Sequence, residues 1–187
     1  MEQKRIIKDK DAIKRIAIFD FDGTLADTPL PDKGKETYKG ATGKDWPHKG
    51  WWSREESLDM EMFDINVVQS VVDDYQAEME KSDTLVIMMT GRIPKLSKHV
   101  EDILMAKGLT FDRYYYNTGG ETGQVKINFM SQLVNEFKNT KEIHLWDDRD
   151  LHIPRFEEFG KSLDGITFSI THVITENKIR FTEGQSE

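Results

Sequence analysis

An α/β domain with a parallel central sheet and a small insert after the first strand is the fold this sequence predicts. Three apolar runs predict the sheet: Arg15–Phe19, Thr84–Met89 and residues 142–146, each of strand length and apolar on successive residues, as strands buried on both faces are. Helically spaced apolar residues lie between these runs and supply the covering layers. The insert, at about 27–63, is rich in glycine, proline, lysine and tryptophan and has no clear helical or strand period, so it reads as loops and short turns. The whole chain, 1–187, is expected to form one domain.

The first strand runs into Asp20-Phe21-Asp22-Gly23-Thr24-Leu25, where Gly23 lets the backbone turn away. A helix is expected over 64–81, with Asp64 as N-cap and Ile65, Val68, Val71, Val72 and Tyr75 on its apolar face. The second strand delivers Thr90-Gly91-Arg92. A helix over 94–107 follows, closed by Gly108. Residues 111–117 read as a strand, 118–123 as a loop and 126–138 as a helix starting at Lys126. The third strand ends in Asp147-Asp148-Arg149, and 151–159 is helical. Residues 165–180 alternate as a strand and hairpin turning at Glu176-Asn177.

Ligands of open parallel sheets bind outside the carboxyl ends of the strands. That rule brings Asp20, Asp22, Thr90, Asp147 and Asp148 to one crevice, within reach of Lys126. Residues two apart on an extended chain point the same way, so Asp20 and Asp22 address one site. Two such carboxylates repel each other unless a cation lies between them or one is protonated. Magnesium with a phosphoryl group meets that need, since Mg2+ takes few carboxylates and completes its octahedron with water and phosphate oxygens. Thr90, with the Gly91 amide, offers hydrogen bonds to a phosphate oxygen, and Lys126 offers charge. Lys138 and Lys141 are the competing lysines.

This ordered set resembles the haloacid dehalogenase (HAD) superfamily, whose four motifs are Asp-x-Asp-x-Thr, a Ser or Thr, a Lys or Arg, and an acidic pair. The resemblance covers roughly 14–160. A narrower similarity, to the Swiss Army Knife RNA-repair-like HAD proteins, rests on Asp27-Thr28-Pro29, the segment from Trp51-Trp52-Ser53-Arg54 to Leu58, and Asp147-Asp148-Arg149 followed by His152 and Phe156. Thr90-Gly91-Arg92 and Asp-Asp-Arg are also similar to the phosphatase domain of phage polynucleotide kinase-phosphatase. The resemblance implies a Rossmannoid three-layer sandwich and a Mg2+-dependent phosphomonoesterase working through an aspartyl phosphate. It assigns Asp20 as nucleophile and metal ligand, and Asp22 as acid and base whose backbone carbonyl also meets the metal. Asp147 becomes a metal ligand; Asp148 becomes a second ligand or orients Lys126.

Composition bounds the rest. There is no cysteine, and the five histidines show no metal-binding spacing, which excludes disulfides, thiolate zinc sites and a cysteine nucleophile. Neither a signal-peptide core nor a run of the ~18 apolar residues that span a membrane is present, so a soluble, cytoplasmic protein is expected. The net charge of −8 opposes general polyanion binding, but residues 32–54 carry six basic and three acidic side chains, leaving +3 there and −11 elsewhere. A locally steered anionic substrate or an incidental solvated loop both fit. Lys49, Trp51, Trp52 and Arg54 are candidates for a basic, base-stacking rim; adjacent tryptophans equally serve to anchor a loop. Arg92, Arg149 and His152 are further candidates, Arg92 for a second phosphate or leaving group. The expected substrate is a phosphorylated nucleic-acid end or nucleotide. The alternatives are a small-molecule phosphatase for free nucleotides or sugar phosphates and a non-catalytic phosphate-binding repair subunit. With no P-loop or ligase-type segment in the sequence, any kinase or ligase step is expected from a separate partner.

Overall fold

The computed structural model describes residues 9–175. Its centre is a five-stranded parallel sheet of β1 (Arg15–Phe19), β4 (Thr84–Met89), β5 (Arg113–Tyr115), β6 (Glu142–Asp147) and β7 (Thr167–His172), in the order β5-β4-β1-β6-β7. Both neighbours of β1 are parallel to it, Phe19 lying beside Met88 on one side and Trp146 on the other. The chain fills the β4 side first and then returns to place β6 across β1. This reversal opens the crevice at the carboxyl ends of β1, β4 and β6.

Successive residues of each strand feed two different cores, which is why these runs lack polar alternation. Ile16 and Ile18 of β1, with Ile87 and Leu145, pack under α4 (Thr122–Glu136) and α5 (Ile153–Lys161) through Met130, Leu133 and Phe156. Ala17 and Phe19, with Val86, Met88 and Trp146, face α2 (Gln69–Glu80) and α3 (Ser97–Ala106) through Val71, Tyr75, Val100 and Leu104. On that face the Phe19 and Trp146 rings stack with centroids 4.2 Å apart.

The insert differs from the expected run of loops. It contains α1 (Pro31–Thr42), with proline in its first turn and Gly43 closing it at φ 70°. Only Gly34 of that helix is buried, so no apolar stripe announces it. A Cβ at Gly34 would lie 2.0 Å from the Trp51 ring, so the helix presses its bare backbone onto that indole. Trp51 also donates from Nε1 to the Pro29 carbonyl (3.1 Å) and contacts Trp46 and Phe63. The ribbon of β2 (Ala26–Asp27) and β3 (Asn66–Val67) closes the insert antiparallel. It displaces the expected helix start: Asp64 is not an N-cap, because Asn66 and Val67 pair with β2 and Val68 bonds to Leu25, so α2 begins at Gln69.

Two other boundaries move. The 126–138 helix begins at Thr122, because Glu121 accepts from the Gly123 and Gln124 amides and caps it. The strand expected over 111–117 shortens to Arg113–Tyr115. The 165–180 segment supplies β7, which is parallel to β6; the turn expected at Glu176-Asn177 lies outside the described residues.

Burial makes Trp51→Ala a stability mutation. A loss of about 3–5 kcal/mol is expected from the size of the cavity, read as a lower midpoint in urea unfolding.

Candidate active site

Asp20 stands one residue beyond β1, its amide still bonded to the Trp146 carbonyl at 2.9 Å. Gly23 then turns the chain at φ 68°, and a Cβ there would lie 2.5 Å from Asp148 Oδ2. Any side chain would strain the turn and strike the acidic pair, so glycine is required twice over. Thr90 stands one residue beyond β4, its amide donating a hydrogen bond to the Tyr115 carbonyl, and Asp147 is the last residue of β6. The crossover helix α4 brings Lys126 up between them.

Lys126 is the centre of the arrangement. Its Nζ lies 2.8 Å from Asp20 Oδ1 and 2.6 Å from Asp147 Oδ2, with all three residues buried. Burial works against the Lys126 charge, but Asp147 and Asp20 outweigh it and raise its pKa above the usual lysine range. Asp20 is pushed well above the usual carboxylate range, mainly by burial; Lys126 opposes the rise, while Asp147 and Asp148 add to it. Lys138 and Lys141, the competing lysines, lie outside the cleft.

Carboxylate oxygens of Asp20, Asp147 and Asp148 lie within 4.8 Å of one another. Opposite oxygens around Mg2+ are about 4.2 Å apart, so small side-chain rotations would let the three share one ion. The charge balance leaves room for such an ion. Five aspartates (Asp20, Asp22, Asp27, Asp148, Asp150) but only Arg92, Lys126 and Arg149 line the cleft of about 790 Å³ above them. A phosphate dianion would meet net negative charge there unless a divalent cation were added. The carboxylate of Asp22 also lines the cleft but is not in this group; it is paired with Arg92 instead.

Arg92 grips Asp22 with both arms of its fork: Nε to Oδ2 at 2.9 Å and Nη2 to Oδ1 at 2.8 Å. Its Nη1 reaches the Trp52 carbonyl (2.8 Å) and the Ser57 hydroxyl (2.7 Å). These bonds correct the expectation that Arg92 holds a second phosphate, because the fork is committed inside the protein and the side chain is fully buried. Thr28 donates to the same Asp22 Oδ1 at 2.7 Å.

The candidate rim comes apart. Trp52 lines the cleft, its ring centroid 5.0 Å from the Arg92 guanidinium and 5.9 Å from that of the exposed Arg149. Trp51 is core. Lys49 is exposed and Arg54 half-buried, and neither lines the cleft. Lys33 and Lys39 of the insert pair with Glu36 and Asp45. His152 lines the cleft with its Nε2 3.2 Å from Glu121 Oε1, and burial lowers its pKa. Gly91 also lines the cleft. Thr28, Ser57 and Glu121 escaped the sequence reading as working residues, since no spacing marks a hydroxyl or a cap that acts through another side chain.

Glu121 is held down to about 2 chiefly by the Gly123 amide, against the penalty of burial, with the Gln124 amide and Arg155 helping. Its cap therefore supports α4 fully above the ordinary glutamate range and is lost as pH falls from about 4.5 toward 2. The protection factors of the Gly123 and Gln124 amides, taken against the intrinsic exchange rate at each pH, are expected to fall across that window.

A sequence profile for HAD domain family 1 in Swiss Army Knife RNA repair proteins matches residues 34–183. The match takes in Thr90, Lys126, Asp147 and Asp148 and begins after Asp20 and Asp22, whose placement rests on geometry. The uncharacterized protein YMR265C of Saccharomyces cerevisiae is 25% identical over 180 residues, covering 82% of this chain and 38% of that protein. The chain thus spans about two fifths of the length of that relative. Among solved structures, an archaeal β-phosphoglucomutase from Pyrococcus sp. strain ST 04 superposes with a TM-score of 0.50 at 15% identity, over 93% of this chain and all of that one. The HAD domain of effector protein Lem4 from Legionella pneumophila gives a TM-score of 0.42 at 12% identity, over 91% of this chain and 93% of that one. The β-phosphoglucomutase likeness concerns the fold.

Proposed function

The chain belongs to HAD domain family 1 of the Swiss Army Knife RNA repair proteins, and from that membership we propose a Mg2+-dependent phosphomonoesterase acting on phosphorylated nucleic-acid ends or nucleotides. The observation that carries the proposal is Lys126, buried between Asp20 and Asp147 at the floor of an acidic cleft. A carboxylate kept beside a fixed cation, with two further carboxylates able to share a metal, is suited to attack on phosphorus and poorly suited to mere packing.

In this reading an Asp20 oxygen attacks phosphorus while the ester oxygen departs, taking a proton through Asp22. Water then gives a proton to the Asp22 carboxylate as its oxygen bonds the same phosphorus and the bond from phosphorus to the Asp20 oxygen breaks, freeing phosphate and restoring Asp20. Lys126 and the Thr90 hydroxyl with the Gly91 amide hold the non-bridging oxygens. Mg2+ held by Asp20, Asp147 and Asp148 would supply charge neutralisation for the incoming dianion. Positioned acid-base groups contribute ~10²–10⁴ in rate.

The nucleic-acid end is supported by the RNA-repair description of the family and by Trp52, a half-buried aromatic side chain lining the cleft. A small-molecule reading draws support from the excess of aspartates in the cleft, where Arg149 is the exposed cation among the described lining residues. Oligonucleotides and mononucleotides with matched phosphate positions separate them. An oligonucleotide end is expected to show the lower KM, with kcat/KM falling roughly threefold between 50 and 200 mM salt for a single phosphate contact. Trp52→Ala is expected to raise that KM while sparing aryl phosphate. A preference for mononucleotides would favour the second reading. Among the described residues no helix is long and apolar enough to cross a membrane.

A further inference from the structure

We infer that Arg92 is a positioning residue that fixes the Asp22 carboxylate and ties it to the insert, so that the insert serves the chemistry even for substrates too small to touch it. The inference rests on the phosphatase reading above. Three donors meet Asp22: two from the Arg92 fork and one from Thr28, at 2.7–2.9 Å. A bidentate fork sets the plane of a carboxylate as well as its position, which a single ammonium cannot do. Asp22 still lines the cleft, so a held carboxylate remains within reach of the leaving group.

The other end of Arg92 is as firmly placed. Its remaining arm bonds the Trp52 carbonyl and the Ser57 hydroxyl, while the Trp52 ring lies over the guanidinium at 5.0 Å. Ser57 is itself buried and bonds from its hydroxyl to the Arg54 carbonyl at 2.6 Å. Residues 52–57 therefore form a socket for the guanidinium, and the insert is anchored beneath them by Trp51. A buried arginine with this set of partners is costly to keep unless each acceptor stays in place. Movement of the socket must shift the fork, and with it Asp22. A substrate-gripping arginine would present free donors to the cleft; this one directs its fork and its other arm at protein acceptors.

Arg92→Lys, Asp22→Asn and the double variant, assayed in full-length protein with one aryl and one alkyl phosphate, test the inference. Arg92→Lys is expected to lower kcat on the alkyl ester about 30–100-fold with KM within about threefold, and to cost less on the aryl ester, whose leaving oxygen needs little proton. Adding Arg92→Lys to Asp22→Asn is expected to cost less than about threefold more, because the positioned group is already disabled. Ser57→Ala, which leaves the fork intact but loosens the socket, is expected to show a weaker version of the same kcat loss. Raised KM with unchanged kcat, or fully additive losses in the double variant, would overturn the positioning role. The same four proteins compared by thermal unfolding report the Arg92–Asp22 coupling without any turnover. Inert wild type with coupled melting points would remove the phosphatase reading and leave the clamp; uncoupled melting points would remove the clamp.

Discussion

Asp20→Asn is expected to abolish phosphate-ester hydrolysis, by at least about 10⁴-fold in kcat, while leaving the protein as stable as wild type or more so. The two halves have one physical cause. Asp20 is a buried carboxylate, pushed above its ordinary range chiefly by that burial. The amide is nearly the same shape, carries no charge to desolvate and retains an oxygen for Lys126, which still has Asp147 at 2.6 Å. Stability kept low by a functional charge is therefore recovered when the nucleophile is removed. Steady-state rates on an aryl phosphate, beside melting temperatures at neutral pH, check both. A variant that stays active would exclude Asp20 as nucleophile. A variant that unfolds would show that the carboxylate is structural.

The second large effect belongs to Lys126→Met. Methionine fills much of the same space, but Asp20 and Asp147 then face each other in a buried site without their shared cation. Breaking such a buried arrangement typically costs about 3–5 kcal/mol, and loss of a fixed donor to the transition state about 10²–10³ in kcat. The pH dependence has a definite sign. With its main compensating charge gone, Asp20 rises further, so the native state holds a proton that the unfolded chain has released. Acidification from pH 7 toward 5 therefore stabilises the variant relative to its own neutral value, more than it does wild type. Added Mg2+ is expected to restore part of the melting temperature, since it brings positive charge to the same carboxylates. Unaltered stability in the absence of metal would mean that the pair is better solvated than its burial indicates.

These expectations separate what the sequence makes legible from what it hides. The runs around Ile16, Ile87 and Leu145 are apolar on consecutive residues because each strand is covered on both faces, and that pattern is local. The positions of Asp20, Thr90 and Asp147 follow, because a strand end carries its next residue with it. Lys126 was legible for a similar reason, although its helix starts earlier, at a glutamate cap that no apolar period reveals. The helix over Pro31–Thr42 stayed hidden because its one buried residue is a glycine, pressed against Trp51 of the same insert, so no apolar stripe marks it. Trp51 and Trp52 are neighbours in sequence with opposite fates, one in the core and one in the cleft. Arg92 was legible as a phosphate-like binder from its fork, but the anion it meets is Asp22. Which carboxylate or phosphate an arginine faces depends on contacts 70 residues apart, and spacing carries no trace of them.

Trapping the covalent intermediate tests the central claim most directly. Enzyme quenched during turnover of an aryl phosphate with Mg2+, then reduced with borohydride and mapped by peptide mass spectrometry, is expected to carry homoserine at position 20. Samples quenched without substrate, or with chelator in place of Mg2+, are expected to carry unmodified Asp20. Homoserine at another aspartate, or efficient turnover with none at any position, would contradict the account.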